Sequence, residues 1–116
     1  MFVKYTYRDF FRLKKDLQKS FPDVNLSLNI YKYILYKRYY IMLHKIEVSS
    51  EIRESGLGTK VIDIICDFAD RYDVKIYLTP SDLLGSDLKR LIGFYERFGF
   101  RFIDTMDMCR EPMSKV

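Results

Sequence analysis

The spacing of apolar residues changes along the chain, and each change marks an element. Residues 2–5 are read as a short first strand. Over residues 7–20 the apolar positions Phe10, Phe11, Leu13 and Leu17 alternate with basic ones at helical spacing. Phe21-Pro22-Asp23 ends that helix, because the residue before a proline avoids the helical region. From 24 to 48 the chain turns to Tyr, Ile, Leu and Val, which favour strands, and two or three antiparallel strands are expected, with Lys37-Arg38 as a candidate turn. After polar Ser49-Ser50-Glu51 and a glycine-bearing segment, residues 57–72 form the most regular helix pattern. Val61, Ile64, Ile65, Phe68 and Tyr72 make one stripe, Ile62 and Ala69 widen it, and Lys60, Asp63, Asp67, Asp70 and Arg71 lie opposite. A short strand is expected at 74–78, stopped by Pro80. A helix follows at 86–97 with Leu88, Leu91, Ile92 and Tyr95 on its apolar face, Ser86 as cap and Asp87 in the first turn. Gly99 ends it, and strands are expected at 100–103 and 106–111.

This order predicts an α/β (α+β) fold: a βαβ unit beside antiparallel strands, in one mixed sheet flanked by helices. The 116 residues fit a single domain over 1–116. Apolar residues at 48% and charged residues at 31% allow a packed core and a soluble surface, and aromatic residues at 16%, spread along the chain, argue against disorder. Charges interrupt every apolar run near the N-terminus, and no stretch reaches the roughly 20 apolar residues of a membrane span, so a cytoplasmic protein without a membrane partner is expected. Cys66 and Cys109 lack metal-ligand spacing and are read as free buried thiols. The net charge of +4 suits a polyanionic ligand, although the densest basic stretch, Arg12, Lys14, Lys15 and Lys19, reads as a solvated helix face.

The segment Arg53-Glu54-Ser55-Gly56-Leu57-Gly58-Thr59 carries the clearest chemistry. A strand that ends in a glycine turn and opens a helix exposes backbone N–H groups at the positive end of the helix dipole. Glycine lets an anion approach that backbone closely. The Gly-Lys-Ser/Thr ending of a P-loop and the three glycines of a dinucleotide fingerprint are both missing. The segment resembles the acetyl-coenzyme A loop of the GNAT superfamily of N-acetyltransferases, Arg/Gln-x-x-Gly-x-Gly/Ala, with Arg53, Gly56 and Gly58 in its three defined places. Further on, Phe94-Tyr95-Glu96-Arg97-Phe98-Gly99-Phe100 resembles the Tyr-x-x-x-Gly-Phe segment of the same superfamily, in the same order.

That resemblance implies a GNAT-like sheet, mostly antiparallel, whose central parallel strands, near 40–48 and 74–79, are adjacent and splay at their C-terminal ends. Acetyl-coenzyme A would be the cosubstrate, with no metal. Its pyrophosphate would lie over residues 53–59, and its pantetheine arm would pair with the backbone of Ile46 and Val48. A primary amine of a small molecule or protein would attack the thioester directly. Tyr95 matches the family position whose hydroxyl lies near the sulfur, making it the candidate general acid. The places where family members carry a glutamate base fall near Met42 and Thr79, neither of which is a base. Glu47 has the opposite strand parity to Ile46 and Val48, whereas His44 shares theirs and is the candidate base. Leu88 stands where the family often has an asparagine. Asp82 and Asp87 would suit a cationic acceptor.

Two other readings compete. The missing glutamate and asparagine fit a GNAT-fold module that binds coenzyme A and acts through protein interaction. Tyr31, Tyr33, Tyr36, Tyr39 and Tyr40 with the net positive charge would fit a nucleic-acid-stacking surface. Nucleic acid is nonetheless the disfavoured partner, because no RNA- or DNA-binding motif is present and half of those tyrosines should face the core. The small size and strand-rich first half leave room for a homodimer.

Overall fold

The computed structural model describes residues 5–33, 35, 38–48, 56–81 and 88–113. Three helices and five strands follow in the order α1 (Thr6–Ser20), β1 (Val24–Lys32), β2 (Tyr39–Val48), α2 (Leu57–Tyr72), β3 (Lys75–Leu78), α3 (Leu88–Arg97), β4 (Arg101–Phe102) and β5 (Met108–Arg110). The strands form one mixed sheet in the order β1-β2-β3-β5-β4. β2 and β3 pair in parallel, and the other neighbours pair antiparallel. The expected βαβ unit is thus present, with α2 as its crossover.

The segment 24–48 forms two strands, not three. β1 and β2 make a hairpin closed by Tyr33 N–H donating to Arg38 O at 2.7 Å. Side chains alternate across the sheet, so register assigns them to faces. Leu28 and Ile30 on β1, Ile41 and Leu43 on β2, Ile76 and Leu78 on β3 and Met108 on β5 are all buried on one face. The helices cover that face. Phe10 of α1 meets Phe68 of α2 with ring centroids 6.0 Å apart, and Tyr72 of α2 donates to Asp9 of α1 at 2.5 Å. The other face carries Tyr31, Tyr33, Tyr40 and Tyr77, whose rings form a connected cluster, with the Tyr33 and Tyr77 hydroxyls 2.5 Å apart. Tyr39 lies on the helix-bearing face, and Tyr36 is outside the described residues.

The bounds of α2 agree with the periodicity, but its buried face differs. Val61, Ile62, Ile65, Cys66, Phe68 and Ala69 are buried, while Ile64 is exposed. The helix packs against the sheet, α1 and the end of α3 together, so its buried arc is broad and displaced from the single expected stripe. Asp73 ends it in the left-handed region at φ 56°, and Val74 N–H donates back to Ala69 O at 3.0 Å. Aspartate tolerates that conformation better than most residues. Leu88, expected on the apolar face of α3, is exposed. Cys66 and Cys109 are both free and buried, and burial pushes the Cys66 thiol up to about 11.

The two C-terminal strands are shorter than their pattern suggested. Asp104 Oδ1 accepts the backbone N–H groups of Met106 and Asp107 at 2.8 and 2.7 Å, and Ile103 N–H donates to Asp107 O at 2.9 Å. These bonds commit residues 103–107 to a turn, leaving Arg101–Phe102 and Met108–Arg110 as ladder. The two N–H donors also hold the Asp104 carboxyl below its ordinary value. The strand expected at 2–5, the Lys37 half of the turn, and Asp82, Gly85, Ser86 and Asp87 lie outside the described residues.

One buried ion pair ties the second half together. Arg110, 4% exposed, makes two parallel bonds to the Asp70 carboxylate of α2 at 2.8 and 3.1 Å and donates to Phe98 O after α3 at 2.7 Å. Met113 N–H adds a further bond to Asp70 at 2.8 Å. Asp70→Asn removes the countercharge from a buried guanidinium and is expected to destabilise the protein by about 3–5 kcal/mol in urea unfolding. Replacing both partners by apolar residues of similar volume should cost much less. A single mutant as stable as the parent would show that the pair is not the clamp described.

Candidate functional site

The site begins where the central strands separate. β2 and β3 pair through four positions, from Tyr40–Lys75 to Leu43–Leu78. β1 and β2 go on pairing as far as Val24–Val48. Residues 44–48 of β2 are therefore held by β1 along one edge, with no strand on the other edge among the described residues. Backbone N–H and C=O groups on such an edge are free to bond an extended ligand. Pro80, which has no N–H, follows immediately on the β3 side and cannot extend a ladder.

A bulge alters the geometry of β2 at this point. Ser27 pairs with Lys45 and Leu28 with Leu43, so His44 is the extra residue. The bulge reverses parity: Ile46, opposite Leu26, returns to the face of Leu43 and is half-buried against the core. Glu47 then has the opposite parity to Ile46 and forms an ion pair with Lys45 at 3.3 Å. His44 is exposed, and the simple alternation that grouped it with Ile46 and Val48 does not apply to a bulged position.

Beyond β2 the chain reaches the glycine turn. Gly56 is the N-cap of α2, at φ 82° and ψ 9°, a left-handed conformation that favours glycine. A Cβ placed there would meet nothing within 4 Å, so the backbone conformation, together with open space in front of it, accounts for the residue. Gly56 O accepts the first helical bond, from Lys60 N–H at 3.1 Å. The N–H groups of Leu57, Gly58 and Thr59 precede that bond and have no intrahelical acceptor. Among the described residues no side chain caps this end, and no acidic residue lies in the first turn. The helix therefore presents uncompensated donors and the positive end of its dipole to an anion. Arg53, Glu54 and Ser55 lie outside the described residues.

Tyr95 projects from α3 into the same core. It is 6% exposed, and its ring meets Phe94 and Phe100 with centroids 5.4 and 5.6 Å away. Its hydroxyl has no bonded partner among the described residues, yet no fully buried side-chain oxygen or nitrogen there is unsatisfied. The ring is thus packed while the oxygen reaches accessible space. Burial raises the phenol above its ordinary value, which keeps it protonated and able to donate at neutral pH.

Asp107 is a residue the motifs did not indicate. Thr79 Oγ1, one residue past the last β2–β3 pair, donates to Asp107 Oδ1. The two positions are 28 apart in sequence, and only the β3–β5 register, Leu78 opposite Met108, brings them together. No local pattern could have shown it. Among the described residues no helix is long and apolar enough to cross a membrane, and no cluster of three metal-ligating side chains occurs.

The sequence matches the family model of the GNAT acetyltransferases over residues 23–100, about two thirds of the chain. A comparison with curated proteins finds no match. Among solved structures the fold is similar to Arabidopsis thaliana Naa50, in complex with the bisubstrate analogue CoA-Ac-MVNAL, with a TM-score of 0.63 and 16% identity. That alignment covers 76% of this chain and 64% of the Naa50 chain. It is also similar to a chain of the NatC complex bound to Gag peptide and CoA, with a TM-score of 0.61 and 18% identity over 97% of this chain and 82% of that one. Bacillus subtilis YlbP, an N-acetyltransferase in complex with coenzyme A, aligns over 99% of this chain and 96% of its own at 14% identity and a TM-score of 0.52. With the family model spanning most of the sheet, the glycine turn and the Tyr95 helix, this chain belongs to the GNAT acetyltransferase family.

Proposed function

We propose that the protein is an N-acetyltransferase that moves the acetyl group of acetyl-coenzyme A to a primary amine of a small molecule or protein. The observation that carries this reading is the early end of the β2–β3 ladder at Leu43–Leu78, next to a helix that opens on uncapped N–H groups. The pantetheine arm lies along residues 44–48 and bonds the backbone of Ile46 and Val48, as a further strand would. The pyrophosphate lies over residues 53–59, where the donors of Leu57, Gly58 and Thr59 meet its charge and Arg53 adds a countercharge. A thioester placed this way lies in the gap between the strands. The amine nitrogen attacks the carbonyl carbon, the C–N bond forms, the C–S bond breaks, and Tyr95 protonates the departing thiolate. The similar structures that hold the bisubstrate analogue CoA-Ac-MVNAL and a Gag peptide with CoA make a peptide amine the first acceptor to test. A module that binds coenzyme A without turnover is the other reading, motivated by Leu88 in the place of the family asparagine, and the assays below separate the two.

Gly56 tests cofactor binding. Gly56→Glu sets a carboxylate in front of the donors and should weaken acetyl-coenzyme A in calorimetry by about 100-fold or more, equivalent to about 2.8 kcal/mol. Gly56→Ala carries the same backbone strain, about 1–2 kcal/mol for a left-handed residue, without the charge. It should therefore lose stability but keep most of the affinity. Unchanged affinity in the glutamate variant would place the pyrophosphate elsewhere.

Tyr95 tests the chemistry. Tyr95→Phe keeps the ring contacts and should lower the maximal rate of thiol release by about 10²–10⁴-fold, the range for one positioned acid. Stability should change by less than about 1 kcal/mol, since no hydrogen bond among the described residues is lost. Because burial raises the phenol, any alkaline loss of rate from its ionisation should fall above pH 10.0. Full turnover in the phenylalanine variant would leave water as the proton donor. Binding without thiol release in the parent protein, across diverse amines, would favour the module.

A further inference from the structure

The proposed reaction needs a group to take the proton of the incoming ammonium, and the strand positions where the family's glutamate would stand hold Met42 and Thr79. Thr79 cannot act as a base, but its hydroxyl donates to a carboxylate from a different strand. We propose that Asp107, delivered by the β4–β5 turn and held by Thr79, is the general base that deprotonates the acceptor amine. This inference rests on the transferase reading above.

Register supplies the placement. Leu78 and Met108 are opposite each other on the helix-bearing face. Thr79 and Asp107, one residue beyond each, therefore project on the helix-free face. They stand where β3 stops pairing with β2, beside the mouth of the gap. The described helices and Tyr95 lie on the opposite face, and none of the described helices covers the face of Thr79 and Asp107, which gives an acceptor its approach. The acid and the base are thus on opposite sides of the sheet. Leaving-group protonation occurs from the helix side and amine deprotonation from the open side, and neither group has to cross the thioester.

The turn is built to hold this carboxylate still. Asp104 Oδ1 accepts the Asp107 N–H at 2.7 Å, and Asp107 O accepts the Ile103 N–H at 2.9 Å. With Thr79 bonded to Oδ1, the backbone and one carboxylate oxygen are fixed. Besides Thr79, the Asp107 side chain contacts the Asp104 carboxyl in the same turn. Asp107 is half-buried, not freely solvated. Among the described residues, its charged or titratable surroundings on this face include Asp104 in the same turn, Tyr77 with its partner Tyr33 and Cys109 along the strands, and the Lys75–Glu111 pair toward the far end.

The proton balance closes. Asp107 Oδ2 takes one proton from the ammonium and passes it to water. The neutral amine attacks the carbonyl carbon to give a zwitterionic tetrahedral adduct. The adduct expels the thiolate, which receives the Tyr95 proton; the extra proton on nitrogen leaves through the Asp107 carboxylate to water on the open side, and Tyr95 regains a proton from solvent on the helix side. The products are the amide, coenzyme A thiol and one proton in solvent.

The experiment compares the parent protein with Asp107→Asn, which keeps the shape and the Thr79 contact. The acceptors are ethylamine and the weakly basic trifluoroethylamine, read by thiol release, with acetyl-coenzyme A affinity measured separately. Asp107→Asn should lower kcat/KM for ethylamine by about 10²-fold or more, the lower end for a positioned base. The loss should be less than about 10-fold for trifluoroethylamine, which is already neutral and needs no base before attack. Cofactor affinity should stay unchanged, and Thr79→Val, which frees the carboxylate, should give a smaller loss with the same dependence on amine basicity. An equal loss for both amines, or no loss, would overturn the role of Asp107. So would a His44→Gln variant that shows this pattern while Asp107→Asn does not. A parent protein that binds the cofactor but acetylates neither amine nor any peptide would instead overturn the transferase reading, and this inference with it.

Discussion

The separation of β2 from β3 after Leu43–Leu78 is the constraint around which the rest of the site is arranged. Parallel strands this close would ordinarily continue to pair, because each unpaired buried backbone group is costly. Two features stop them. β3 is four residues long and runs into Thr79 and Pro80, which take the chain out of the ladder. β2 is ten residues long and past Leu43 it goes on pairing with β1, with the His44 bulge adding twist where β2 and β3 part. The result is an extended strand edge with no strand beside it among the described residues, preorganised to bond an extended ligand.

A wedge between two strands stays open only if both sides are anchored. On the β2 side the anchor is the long antiparallel hairpin. On the β3 side it is the Arg110–Asp70 pair, which joins β5 to α2 and, through Phe98 O, to the end of α3. The same guanidinium therefore fixes the helix that opens on the glycine turn and the helix that carries Tyr95. Phosphate donors and candidate acid share one rigid support, although they are far apart in sequence. The price is a buried charge, held only because its partner and a carbonyl are in place.

The helices and the βαβ unit were legible because their signals are local. Gly56 at the start of α2 and the Asp73–Val74 reversal at its end bracket the apolar period, and the bounds agree with the pattern. Gly99 at φ 98° marks the end of α3 in the same way. Register was not legible. The inserted residue at His44 decides the faces of Ile46 and Glu47, and nothing in the composition of 39–48 reveals it. The exposed Ile64 and buried Cys66 reflect packing on three sides, which a single helical stripe cannot encode. The pairing of Thr79 with Asp107 depends on the antiparallel return of β5, a contact across 28 residues. The glycine and tyrosine motifs pointed to cofactor binding because they shape backbone and helix ends. A carboxylate brought in by the turn between two strands leaves no such trace.

The account stands or falls on whether the free edge of β2 receives the cofactor. Amide hydrogen exchange, with and without saturating coenzyme A, measures this directly on the intact protein. The account predicts marked slowing across residues 44–48 and at the start of α2, residues 57–59, with little change in β1 or in the paired part of β2. Slowing confined to other regions, with residues 44–48 exchanging at the same rate in both states, would contradict it.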